Sequence, residues 1–94
     1  MVKHIVMWKF APGTQTQAKE FLDKLKGLYG QIEVLRSAEV AVNEADGNDC
    51  DAVLIATFDS YADLNAYKTD PRHVAGSSLC RSIRLERHAV DYEF

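Results

Sequence analysis

Two stretches of this chain are apolar on both faces of an extended backbone, and they govern what the rest of it can become. VKHIVMWKF, from Val2 to Phe10, puts Val2, His4, Val6, Trp8 and Phe10 on one side of a strand and Ile5 and Met7, between Lys3 and Lys9, on the other. DAVLIATF, from Asp51 to Phe58, is a nearly unbroken apolar run bounded by polar residues, the pattern of an interior strand whose two faces are both covered. A chain of 94 residues holds one domain, residues 1–94. A chain this short buries only somewhat over ~60% of the surface its unfolded form exposes. Cover for two faces must therefore come from few elements.

The intervening segments supply helices on one side. Ala11-Pro12-Gly13 breaks the first strand, because proline has no N–H to donate and glycine accepts the positive φ of a turn. Thr14 and Gln17 have the spacing of a capping box. Behind them Ala18, Phe21, Leu22, Leu25, Leu28 and Tyr29 recur at helical intervals, with Lys19, Glu20, Asp23, Lys24 and Lys26 opposite, and Gly30 is a natural stop. A second strand is expected from about Glu33 to Asn43, where Ala38, Val40 and Val42 alternate with Glu39. Glu44 to Asp51 reads as a turn-rich acidic loop. Its Asp46, Asn48, Cys50 spacing lacks both the third oxygen ligand and the closing Glu of a calcium loop. Ser60 with Asp63 opens a helix whose inner face is Tyr61, Leu64 and Tyr67, and it must end before Asp70-Pro71, since the residue preceding proline is steered away from α geometry. Asp70 caps a short helical segment with Pro71 at its first position, running to about Arg81. The last strand, Ile83 to Tyr92, alternates Ile83, Leu85, Arg87 and Ala89 against Arg84, Glu86, His88 and Val90.

This β-α-β-β-α-β order predicts an α+β, ferredoxin-like fold: one antiparallel sheet with two helices packed on one face. The other face would be an apolar patch of several hundred Å², near the limit for a monomer. A twofold, sheet-to-sheet homodimer, forming a dimeric α+β barrel, removes it. The net charge of -3 and the scattered basic residues argue against nucleic acid as a partner. No apolar run approaches the ~20 residues of a membrane span, and the first strand begins without a cleavable leader, so cytoplasmic localisation is expected. Cys50 and Cys80 are too few and too irregular for a disulfide framework or zinc site, and Cys80 reads as a free buried thiol.

Taken together, VKHIVMWKF with its Pro-Gly turn, DAVLIATF, LNAYKTDPRHV and the final VDYEF resemble the stress-responsive A/B barrel (Dabb) family over essentially the whole chain. The resemblance implies a homodimeric α+β barrel with a small-molecule pocket between helices and sheet. Members of the family range from plant stress proteins to a polyketide cyclase that uses no metal or organic cofactor. In the cyclase-like members a first-strand His, a second-helix Tyr and a His after the Pro face that pocket, the Tyr and the second His acting as the catalytic pair. The matching positions here are His4, Tyr67 and His73. Where many members read His-Pro-x-His, this chain reads Asp70-Pro71-Arg72-His73, so the first His of that motif is replaced by a helix cap.

Each residue also has a plainer reading. His4 is a core imidazole bonded to a neighbour, Tyr67 a core aromatic with its hydroxyl at the edge, and His73 a surface imidazole. Their convergence on one apolar chamber favours proton-transfer chemistry, with His73 as general base and Tyr67 as its partner or as donor to a developing enolate. The matching substrate is a small apolar or aromatic carbonyl compound; the alternative is a non-catalytic stress or structural barrel. His4, His73 and nearby carboxylates could also ligate a metal, but their spacing does not specify one. His88 and Tyr92 read as sheet-face residues. Arg72, Arg81, Arg84 and Arg87 make the last third loosely basic and could attract an anionic ligand, with solvated surface as the default.

Overall fold

A computed structural model describes residues 1–94. Four strands, β1 (Val2–Phe10), β2 (Ser37–Val42), β3 (Ala52–Phe58) and β4 (Arg84–Glu93), form one antiparallel sheet in the order β2-β3-β1-β4. Three helices, α1 (Gln15–Gly27), α2 (Tyr61–Thr69) and α3 (Pro71–Ile83), complete the ferredoxin-like arrangement. The two doubly apolar strands, β1 and β3, are the central pair, with His4 opposite Ala56 and Ile5 opposite Ile55.

The period of two along these strands decides where the core lies. Val2, Val6 and Trp8 of β1 and Ala52, Leu54, Ala56 and Phe58 of β3 all point to the helical side and are buried. They meet Phe21, Leu22 and Leu25 of α1, Leu64 and Tyr67 of α2, and Cys80 of α3 in one cluster. Trp8 packs edge-on against Phe21 with ring centres 5.1 Å apart. On the opposite side Ile5, Val53 and Ile55 are only half-buried, and Met7, Val90 and Tyr92 are exposed. No helix reaches that face. No helix of the chain is long and apolar enough to cross a membrane.

Local chemistry sets most boundaries as expected, with three differences. Ser60 accepts the Asp63 N–H at 3.1 Å and opens α2, while Asp70 accepts the Arg72 N–H at 2.9 Å and opens α3 behind Pro71. The segment after the proline, expected to end at about Arg81, runs on to Ile83 and forms a third full helix where two were expected, because Gly76, Cys80 and Ile83 give it a buried stripe. The second strand is shorter than the expected Glu33 to Asn43. Ile32 and Leu35 are drawn into the core by turns in which Ile32 N–H donates to Leu28 and Leu35 N–H to Ile32, so pairing starts only at Ser37. The capping box at Thr14 does not form. Its hydroxyl instead donates to the Ala11 carbonyl at 2.6 Å, fixing the Pro-Gly turn, where Gly13 takes φ of 80°.

A fourth departure concerns side-chain direction. Between Lys9 and Phe10 the β1–β4 register shifts: Lys9 faces Glu86 but Phe10 faces Arg84, leaving Leu85 as the extra residue of a bulge. Strict alternation would place Arg84 and Arg87 on opposite faces. The bulge brings both to the helical side, where they border the same cavity.

Candidate functional site

That cavity, about 360 Å³, lies between the sheet and helices α1 and α3. Val6, Trp8, Phe21, Leu25, Leu28 and Leu54 form its apolar wall, and His4 and His73 are the imidazoles that open onto it. Two of the three residues expected at the site thus line one chamber. Tyr67 is not part of the wall but fills the space between the two imidazoles, its ring centre 6.5 Å from that of His4 and 4.5 Å from that of His73. Phe58 backs it at 5.1 Å. Tyr67 is only 1% exposed, but no side-chain oxygen or nitrogen that is sealed from solvent lacks a partner. Its hydroxyl, which bonds to no group of the chain, is therefore at the accessible edge.

Each imidazole has one nitrogen committed. His73 is the third residue of α3, and its Nδ1 lies 3.1 Å from the Lys68 carbonyl oxygen. A carbonyl can only accept, so Nδ1 carries the proton and Nε2 is left with its lone pair. His4 Nδ1 is hydrogen-bonded to Asp91, which sits opposite it in the β1–β4 register and also stands 3.7 Å from the Lys68 ammonium. This carboxylate again assigns the proton to Nδ1 and frees Nε2. Sequence reasoning missed Asp91. The only signal for it was its position in VDYEF on a strand whose register was unknown.

Burial decides the charge state of these groups. It holds the His4 imidazole below its ordinary value despite the opposing Asp91 carboxylate. It does the same to His73, where the Lys68 carbonyl opposes and His4, Arg87 and Lys68 reinforce the shift. Both rings are neutral at pH 7 and available as acceptors. Burial also pushes the Tyr67 phenol upward, which keeps it protonated and a donor. The Cys80 thiol, buried beside the cavity, is likewise pushed up and is no nucleophile at neutral pH.

The histidine shifts have a consequence for stability. The unfolded chain takes up protons on both rings near the ordinary value of 6.5, whereas the folded chain does so only at lower pH. Their contribution is complete above that value and is lost as pH falls toward the folded-state values. The melting temperature is expected to be flat from about pH 8 to about 7 and to fall as pH drops below about 6.5. Calorimetry across this range checks it, and a rise on acidification would contradict it.

The Asp that replaces the motif histidine has its own role. Asp70 accepts from Arg72 Nε at 2.9 Å and Nη2 at 2.8 Å, which together with the Arg72 N–H hold its carboxyl down to about 2. Arg72 Nη1 then donates to the Gln31 carbonyl at 2.8 Å, tying the start of α3 to the turn after α1. This clamp fixes the segment that presents His73.

The fold and site define a class: ferredoxin-like α+β domains with a helix-side cavity and an unpartnered sheet face. Residues 2–94 match the stress responsive A/B barrel domain, and the chain belongs to that family. A dimeric ferredoxin-like protein of unknown function from Bacteroides fragilis is 32% identical, with a TM-score of 0.85 over 99% of this chain and 95% of its own. A dimeric ferredoxin-like protein of unknown function from Thermobifida fusca is 23% identical, with a TM-score of 0.86 over 99% of this chain and 90% of its own. A hydroxynitrile lyase from Passiflora edulis shares the fold at 14% identity, with a TM-score of 0.84 over 97% of this chain and 90% of its own. No curated protein sequence matches the chain significantly.

Proposed function

We propose that this protein is a homodimer, paired through the uncovered face of its sheet, that binds a small apolar or aromatic carbonyl compound in the helix-side cavity and moves a proton on it. The observation that carries this reading is the pair of neutral imidazoles opening onto one cavity beside its apolar wall, each with Nδ1 committed and Nε2 free. His73 Nε2 removes a proton from the carbon next to the carbonyl, and the electron pair of the broken C–H bond moves onto the carbonyl oxygen. Tyr67, packed between the two imidazoles and outside the cavity wall, holds the His73 ring in position for this transfer. His4, oriented by Asp91, presents its Nε2 lone pair as a second acceptor on the sheet side. Positioned groups of this kind contribute about 10²- to 10⁴-fold each, sufficient for an activated carbon acid such as a 1,3-dicarbonyl compound. No metal or organic cofactor is needed for such a step. The dimer is supported by the apolar far face and by the dimeric relative from Bacteroides fragilis. The free thiols of Cys50 and Cys80 suit a reducing cytoplasm.

Deuterium exchange at the central carbon of 1-phenylbutane-1,3-dione, followed by NMR, tests the chemistry. The protein is expected to accelerate exchange at least ~10²-fold over buffer. Exchange no faster than buffer, with no thermal shift from a panel of phenolic and 1,3-dicarbonyl compounds, would leave a non-catalytic barrel. A bound compound at ~100 times its Kd adds about 2.7 kcal/mol, so binding would be plain in that panel.

A further inference from the structure

The chain has more acidic than basic residues, 14 against 11, yet its cavity has the opposite sign. Lys24, Lys68, Arg72, Arg81, Arg84 and Arg87 border it, and no Asp or Glu does. Half of these cations are already answered. Arg72 holds Asp70, Lys24 stands 3.5 Å from Glu20, and Lys68 is 3.7 Å from Asp91. Arg81, Arg84 and Arg87 have no carboxylate within 4.0 Å. Arg81 comes from the last turn of α3, and Arg84 and Arg87 reach the same space from β4 only because of the bulge at Leu85.

Arg84 is half-buried and Arg81 and Arg87 are exposed at the same opening, so the three leave a basic rim that no carboxylate of the chain answers. An anion at that rim answers it, and the planar guanidinium matches a carboxylate through paired N–H donors. We propose that the ligand of this cavity is a small organic acid, with an apolar ring-sized body against Val6, Trp8, Phe21 and Leu54 and one carboxylate held by Arg81, Arg84 and Arg87. This rests on reading the cavity as the binding site and names the class of compound it takes. Arg87 lies opposite Trp8 on β4, two residues along the strand from the partner of Val6, so the anchored head group fixes how the body lies relative to His4 and His73. The acid group sets orientation and the imidazoles do the proton transfer.

Calorimetric titration of the intact protein with 2-naphthoate and its neutral isostere 2-naphthamide tests this. At ionic strength of ~0.02 M the acid is expected to bind at least ~10-fold tighter, and the preference should shrink at ~0.5 M, where exposed charges are screened. Arg84→Gln/Arg87→Gln should reduce the preference to within ~2-fold, and Lys26→Gln, which removes a charge outside the cavity, should preserve it. Equal affinity for the two compounds, binding of neither, or an equal loss in Lys26→Gln would overturn the proposal. Catalysed exchange of the neutral diketone with no acid preference would sink this inference alone. Acid preference without exchange would sink the proton-transfer reading alone.

Discussion

His73→Ala is expected to slow proton transfer about 10²- to 10⁴-fold while leaving the fold and the dimer intact. His73 is the imidazole best placed to act: it sits at the start of α3, where the positive end of the helix dipole and burial both favour the neutral ring. Its internal obligations are light. Nδ1 reaches the Lys68 carbonyl at 3.1 Å and the Ser77 hydroxyl at 3.5 Å, both near solvent, so removing the ring leaves no sealed polar group stranded. The structural cost is therefore of the order of one hydrogen bond, ~1 kcal/mol. His73→Gln separates the two effects, since an amide can still donate to the Lys68 carbonyl but cannot serve as a base. Loss of exchange in both variants, with unchanged melting temperature in the Gln variant, supports the assignment. Parent-level activity in either would dismiss it.

The site residues were legible in unequal measure, for physical reasons. His4 stood out as an imidazole on an apolar strand face and His73 through the family pattern around Pro71, and the fold brings both to one cavity. Tyr67 was found by the same family pattern, yet it supports the imidazoles from behind rather than forming the wall. Asp91 was out of reach because its partnership with His4 spans 87 residues and depends on the β1–β4 register. The convergence of Arg84 with Arg87 was equally hidden. One inserted residue reverses the alternation from which facing is read, and no local signal in RLERHAV announces it. For the fold, the strands buried on one face and the helices with Ser60 and Asp70 at their starts were plain, since periodicity and caps are local properties. The start of β2 was not, because Val34 and Leu35 are as apolar as a strand requires and only tertiary packing puts Leu35 into a turn.

Ile55→Glu is expected to convert the protein from a dimer of twice the 10.5 kDa chain mass into monomers at micromolar concentration. Ile55 sits at the centre of the uncovered face, beside Ile5 on β1, which in turn faces Val90 on β4. Val53 and Met7 form the neighbouring row. A second copy laid across these rows buries them, and in a twofold pairing each substitution acts twice, placing two carboxylates in a dry interface. An unpaired buried charge costs several kcal/mol, and two of them exceed what separates a micromolar dimer from dissociated chains. The same residue in the monomer is only half-buried and its side chain points away from the helices, so the helix-side core of Phe58, Leu64 and Tyr67 is untouched. Val90→Glu provides a milder change at a position already 54% exposed in the single chain, on an edge strand where a charge is readily tolerated. Sedimentation equilibrium on the parent and both variants is the measurement. A parent that sediments as a single chain would rule out the dimer, and variants that remain paired would place the contact elsewhere on the molecule; either result leaves the cavity and its imidazoles in place.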